Sequence, residues 1–196
     1  MKTDIIAISS PGSNMEAVLG QIEKFSAYKG LSEKDAMYLR LLTEEMMAMM
    51  RAITGNVNAE FWAEDQAGVY ELHLRVSSLV DEKAREQLLS ASSSGKNEVA
   101  HGFMGKIRAF FEPASSVPMF TSGFAGGGPQ MFGRYTWSME DYRDQLRQYR
   151  EQHRDANPEA WDELEKSVVA KVADDVKVSI RGREVEMTIL KSLENG

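Results

Sequence analysis

Few side chains in this 196-residue chain stand where type and spacing suggest chemistry, and Glu45 is the first of them. It lies in LRLLTEEMMAMMRAI, a run otherwise dominated by Leu and Met. A carboxylate in such a run either marks the edge of a buried stripe or faces a pocket. In a pocket it could act as a general base, provided a substrate were held beside it. Met49, four residues on, shares its helical face. The cluster from Met46 to Met50 reads most simply as core. The twelve methionines of the chain suit adaptable packing, or a malleable binding surface.

Other candidates are weaker. Asp174-Asp175 fits the end of a helix at a turn, with no further ligand beside it for a metal. His73, His101 and His153 are far apart and match no zinc-ligand spacing, so each reads as part of an exposed strand or helix face. Lys96 follows Ser94-Gly95, but the first glycine of a phosphate-binding loop and the Ser or Thr after its lysine are missing. Arg143, Arg147, Arg150 and Arg154, interleaved with acids, read as a solvated helix face with salt bridges of small value. The absence of cysteine excludes disulfides, thiolate metal sites and a cysteine nucleophile. A formal net charge of -7 argues against general nucleic-acid binding and against anionic membranes, both of which select basic patches. No stretch is apolar for long enough to span a bilayer, and the N-terminal apolar run is too short for a signal peptide. The expected address is cytoplasmic.

These residues need elements to position them. Ser32 to Gly55 has a start, an apolar face and a stop. Ser32 and Asp35 can form a capping box. Leu39, Leu42, Met46, Met49 and Ile53 recur in steps of three and four, and Gly55-Asn56 ends the helix. Upstream, Thr3–Ser9 alternates as a short strand and Pro11-Gly12 breaks it. Ser13 and Glu16 then cap a helix over Ser13–Lys29 with Val18, Leu19, Ile22 and Phe25 on one face. The short loop between the two helices predicts antiparallel neighbours.

Downstream, Ala59–Glu64 and Val69–Ser77 read as a hairpin around Asp65-Gln66-Ala67-Gly68. Tyr70, Leu72, Leu74 and Val76 point one way, and Glu71, His73 and Arg75 the other, toward water. Helices are expected over Leu79–Ala91 and Asn97–Phe111. Pro113 to Trp137 is rich in Gly and aromatics without a visible period, which predicts a long loop. Ser138–Arg154 reads as a charged helix with Tyr142, Leu146 and Tyr149 as its apolar seam. Asn157 and Pro158 start a helix running to Ala173, with Trp161, Leu164, Val168 and Val172 as its buried stripe. Val176–Ile180 and Arg183–Leu190 alternate around Gly182 as a last hairpin. This order predicts an α+β two-layer sandwich, with a mostly antiparallel mixed sheet covered by helices on one face. The chain reads as one domain over residues 1–196, with a variable insertion over residues 79–157.

In pattern and position, LRLLTEEMMAMMRAI resembles the second helix of the histidine-kinase-like (GHKL, or Bergerat) ATPase fold, in the flavour of anti-sigma-factor serine kinases. EKSVVAKVADDVKVSIRGREVEMTILK is similar to that family's last helix, acidic turn and hairpin. The resemblance puts Glu45 at the family glutamate, a base, and Met49 at its magnesium-binding asparagine. It puts Asp81 at the adenine-reading aspartate. Gly102 and Gly105, in the stretch His101 to Lys106, and Gly126 to Gly128 echo the glycines that cover the phosphates. A thioether is a poor ligand for a hard cation, and no glycines follow Asp81. What the resemblance implies is therefore a degenerate nucleotide pocket of Glu45, Met49, Asp81, Gly102 and Gly105, with Glu45 vestigial and neither cofactor nor metal.

It further implies a regulatory protein of bacterial signal transduction that binds a protein partner without catalysis. The implied partner is a sigma factor or an anti-anti-sigma-like regulator, or a second copy of the chain. Two alternatives stay open: an active serine kinase using ATP and Mg²⁺ at an unorthodox site, and a small-ligand sensor with a methionine-lined cavity beside Glu45. The insertion takes the place of the family's ATP lid. Its aromatics Phe120, Phe124, Phe132, Tyr135 and Trp137 either wrap onto the core or await a partner, which makes them partner-binding candidates.

Overall fold

Alternating strands that are apolar on one side need a layer to cover that side, and two amphipathic helices supply most of it. The computed structural model describes residues 1–9, 14–54, 58–77, 134–152, 167–181 and 184–193. In chain order the elements are β1 (Ile6–Ser9), α1 (Met15–Tyr28), α2 (Glu33–Thr54), β2 (Asn58–Gln66), β3 (Val69–Ser77) and β4 (Arg134–Ser138). There follow α3 (Met139–Gln152), α4 (Val168–Val172), β5 (Asp175–Arg181) and β6 (Glu184–Ser192). The strands form one sheet in the order β1-β2-β3-β6-β5-β4. The chain is thus α+β, as expected. Every strand pairing among the described residues is antiparallel, in keeping with the mostly antiparallel sheet expected. The two-residue connections within β2–β3 and β5–β6 are too short for anything but antiparallel neighbours.

One face of the sheet carries Phe61 and Ala63 of β2, Tyr70, Leu72 and Leu74 of β3, Val176 and Val178 of β5, and Met187 and Ile189 of β6. These share a buried cluster with Val18, Ile22 and Phe25 of α1 and with Leu39, Leu42, Met46 and Met49 of α2. Burying one such side chain fully contributes about 1.5–3 kcal/mol, so this layer dominates the stability of the fold. No helix among the described residues is long and apolar enough to cross a membrane.

The ends of the elements have local causes. Gly30, at φ 66°, ends α1: its N–H donates to the Ala27 carbonyl, and the Leu31 N–H reaches back to Ser26. That pair of bonds satisfies carbonyls the helix leaves open. Half of the expected capping box opens α2: the Asp35 N–H donates to Ser32 Oγ at 3.1 Å, while the Asp35 carboxylate answers the Ser32 hydroxyl, at 2.6 Å, instead of its backbone N–H. At α1 the expectation is corrected. Its N-cap is Asn14, in the left-handed region, whose amide donates to the Ala7 carbonyl at 2.8 Å instead of capping the helix.

Strand β1 is shorter than Thr3–Ser9. Lys2 pairs with Glu64, yet Ile6 pairs with Phe61, so Asp4 and Ile5 together oppose Trp62. One extra residue on one strand is a β-bulge.

Two further expectations fail. Arg134–Ser138, read as the end of a loop, is edge strand β4, paired with β5, so part of the variable insertion belongs to the sheet. Continuing from it, α3 adds Met139 and Tyr142 to the core. The helix expected over Pro158–Ala173 does not run through Ser167. Ser167 is extended, and its hydroxyl accepts the Ala170 N–H at 3.2 Å, so the short helix α4 begins after it. The buried residues of α4 are Val169 and Ala170, and Val168 is exposed. Residues 78–133, 153–166 and 182–183, with the helices expected over Leu79–Ala91 and Asn97–Phe111, lie outside the described residues.

Asp65 ties the N-terminus, α1 and the first hairpin together. Its backbone exchanges two 2.7 Å bonds with Met1. Its carboxylate pairs with Lys29 and accepts the Gly68 N–H at 3.0 Å. The turn itself has Ala67 and Gly68 both at positive φ, as a two-residue type I′ hairpin requires. A Cβ on Gly68, at φ 88°, would also stand 3.3 Å from the Leu193 carbonyl oxygen. Gly68→Ala should therefore destabilise the domain by about 1–2 kcal/mol in urea unfolding.

The Lys29 bond, and then the Gly68 amide, hold the Asp65 carboxyl below its usual range. A carboxylate depressed in the folded state stabilises above its unfolded value and loses that contribution as pH falls through the folded one. Asp65→Asn should therefore weaken the domain at neutral pH. The gap in urea midpoint between wild type and variant should close as pH falls below about 4.

Candidate functional site

On α2, Glu45 and Met49 meet different fates although they lie four residues apart. Met49 is 5% exposed and packs into the core with Met46 and Met47. Glu45 is half-buried and makes no hydrogen bond or ion pair among the described residues. Its neighbour Glu44 pairs with Arg40 at 3.1 Å, and Arg40 also holds Glu23 of α1. Glu45 thus sits at the rim of the buried stripe, beside a charged seam between the two helices.

Of the other expected pocket residues, Asp81, Gly102, Gly105 and Gly126 to Gly128 lie outside the described residues, as do Phe120, Phe124 and Phe132. Tyr135 is in β4, opposite Ile180. Trp137 is half-buried against the core, its ring 5.9 Å from that of Tyr142. Of the two fates open to the aromatics, Trp137 has the first.

A charged cleft of about 450 Å3 opens elsewhere, where α3 leaves the end of the sheet. Glu140, Arg143, Asp144 and Arg147 of α3 line one side, and Asp174, Asp175 and Lys177 the other. No methionine lines it among the described residues. The aspartate pair does more here than end a helix. Asp175 is buried, and its Oδ1 accepts the Glu140 N–H at 3.1 Å and the Val176 N–H at 2.8 Å, which caps α3 from a neighbouring strand. Asp174 accepts the Ser192 N–H at 2.5 Å and pairs with Lys191 at 3.0 Å. Arg143 is not simply solvated: it donates to the Ala170 and Asp174 carbonyls and ties α3 to α4. Arg147 does form the expected weak surface pair, with Asp144 at 3.2 Å. The charges of the cleft are thus largely spent on one another and on the backbone. No group of three side chains able to hold a metal assembles among the described residues.

The face of the sheet turned away from the helices holds an arrangement the sequence reading did not single out. Trp62 and His73 stack with ring centroids 4.8 Å apart and planes 3° from parallel. Lys2 lies 4.5 Å and Arg75 4.9 Å from the Trp62 ring, distances at which cations are attracted to an indole. Trp62 also donates its indole N–H to Glu64 at 2.8 Å. His73, expected on a wet face, is 8% exposed. The stack shields it on one side, and Glu71 and Glu186 flank it at 3.2 and 3.3 Å. The Glu186 carboxyl is held below its usual range by the His73 bond first, and then by Arg75. A sequence signal for the stack existed: Trp62 and His73 are equidistant from the Ala67-Gly68 turn, so a two-residue hairpin must place them opposite each other. His101 and His153 lie outside the described residues.

If Met49 is core and Glu45 is rim, truncation should separate them. Met49→Ala should cost about 2–5 kcal/mol, and Glu45→Ala less than about 0.5 kcal/mol, both by urea unfolding.

No protein-family model matches this chain, and no curated protein matches it.

Proposed function

We propose that this chain is a regulatory domain, related to the anti-sigma type of histidine-kinase-like ATPase, that has lost phosphoryl-transfer chemistry and works by binding another protein in the cytoplasm. The observation that carries this reading is Met49. At the position where the resemblance would put the magnesium ligand, the chain has a thioether that is 5% exposed and committed to the core. A soft sulfur facing packed hydrocarbon is poorly suited to a hard cation. The element order, strand then two helices then hairpin and a closing hairpin in one sheet, is compatible with the resemblance. Glu45 at the rim, with no partner among the described residues, suits a vestigial base. The partner class the resemblance implies is a sigma factor or an anti-anti-sigma-like regulator.

Millimolar Mg-ATP should leave the melting temperature unchanged. A ligand at 100 times its Kd would stabilise the folded state by about 2.7 kcal/mol, a shift easily read by calorimetry. A clear upward shift that Glu45→Ala abolishes would favour the working serine kinase instead.

A further inference from the structure

Residues two apart on a strand share a face, so Glu71 and His73 of β3 project together from the side of the sheet turned away from the helices. Across the hairpin, Glu64 of β2 stands directly opposite Glu71, and Trp62 opposite His73. One imidazole and two carboxylates, donor types that hold zinc, thus fall on neighbouring positions of one hairpin. Like charges directly opposite each other on paired strands are destabilising. Glu64 is relieved by Lys2 at 3.1 Å and accepts the Trp62 indole N–H at 2.8 Å. No lysine or arginine among the described residues pairs with Glu71. Lys2 is engaged by Glu64, Arg75 by Glu60 and Glu186, and Lys177 of β5 by Asp175.

The ring is held from one side only. Its Nδ1 lies 3.3 Å from Glu186 Oε1 and 3.3 Å from the Thr188 hydroxyl. An N–H at Nδ1 serves Glu186, and in a neutral ring that leaves the lone pair on Nε2. A hydroxyl donating to Nδ1 instead would set the Glu186 carboxylate against a lone pair. An imidazole that donates from one nitrogen to a carboxylate and keeps the other free is arranged as metal-binding histidines are. Nε2 is buried and makes no hydrogen bond among the described residues, on a ring only 8% exposed. It faces Glu71 Oε2 at 3.2 Å. Two donors each about 2.1 Å from one zinc ion stand about 3.4 Å apart at the tetrahedral angle. The nitrogen and the oxygen are therefore close to the separation that a shared ion imposes. Glu64 is turned to Lys2 and Trp62, so the three donors do not yet meet at one point. The Lys2 side chain is 48% exposed, so it can take up water if Glu64 turns toward Glu71.

We propose that the outer face of the first hairpin is a site for a divalent ion of the zinc class, bound by His73 Nε2 and Glu71 with Glu64 turned in from the opposite strand, and that Glu186 positions the ring for it. An imidazole nitrogen beside carboxylates suits zinc, whereas magnesium and calcium take oxygen donors. Water fills the fourth position. The ion joins β2 to β3 through side chains, beside the backbone ladder. Because these donors converge only in the folded hairpin, binding stabilises the domain.

Calorimetric titration of the chelator-treated full chain with Zn²⁺ tests this. One ion per chain is expected, with a rise in melting temperature, and excess Mg²⁺ should not compete. Glu186→Gln should weaken binding about 10- to 100-fold. His73→Gln, Glu71→Gln and Glu64→Gln should each weaken it at least as much. Ring-nitrogen NMR gives a readout that a merely structural role would not move: Zn²⁺ should shift the Nε2 signal of His73 while Nδ1 keeps its proton. Should His73→Gln not fold, Glu71→Gln and Glu64→Gln keep the ring and its stack, and the wild-type ring signals still decide. Absence of binding, binding undiminished by any of the three ligand substitutions, or Zn²⁺ that leaves the Nε2 signal in place would each overturn the proposal.

Discussion

The ladder between β3 and β6 is the constraint on which the described structure rests. It runs from Val69 opposite Ser192 to Ser77 opposite Glu184. On its helix side, Tyr70, Leu72 and Leu74 interleave with Met187 and Ile189, all buried. Bringing such distant stretches together has an entropic cost, but that cost grows slowly with the length of chain between them. Each doubling adds about 0.6 kcal/mol, against about 1.5–3 kcal/mol for each large side chain buried. The balance favours the apolar face. A long excursion between Ser77 and Arg134 is therefore compatible with a firm seam. The helices follow from the same balance, since α1 and α2 bury the face that the ladder brings together.

How much of this was legible in the sequence depends on how local the cause was. The alternation of β3 is local: from Tyr70 to Ser77 apolar and polar residues take turns, and Val69 follows directly on the Gly68 turn. The Ser32 cap on the Asp35 N–H and the stripe of Leu39, Leu42, Met46 and Met49 are contained within one helix, and they appear as read. Strand β4 was not legible. Five residues beside a Gly-rich stretch have no period long enough to stand out, and Arg134–Ser138 becomes a strand only because β5 offers it an edge. Ser167 was missed for a related reason: a serine in a helical pattern reads as tolerated unless its hydroxyl is seen to cap Ala170. The pairing of His73 with Glu186 needs the non-local register of β3 with β6, which no window of sequence contains.

At the candidate site the same division holds. Periodicity placed Glu45 and Met49 on one side of α2. It could not say whether that side looked into a pocket or into packed hydrocarbon, because the answer belongs to α1 and the sheet. With Met46, Met47 and Met49 all buried, these three methionines beside Glu45 are used up in packing, and what remains near Glu45 is a rim lined by the Arg40 charge network.

The first strand of the sheet bears on a different matter, the growth of the sheet beyond one molecule. An outermost strand with free carbonyls is a template onto which another chain can crystallise, strand by strand, into a fibril. In β1 and just before it, the side-chain amides of Asn14 and Gln21 occupy the Ala7 and Asp4 carbonyls at 2.8 and 2.6 Å. The extra residue at Asp4-Ile5 kinks the strand out of the plane an incoming strand would need. Fibril growth at this edge would have to strip two amides from their acceptors and straighten the kink before its first ladder bond formed. Helix α1, from which Gln21 comes, thus closes the sheet to polymerisation on that side while it covers the core.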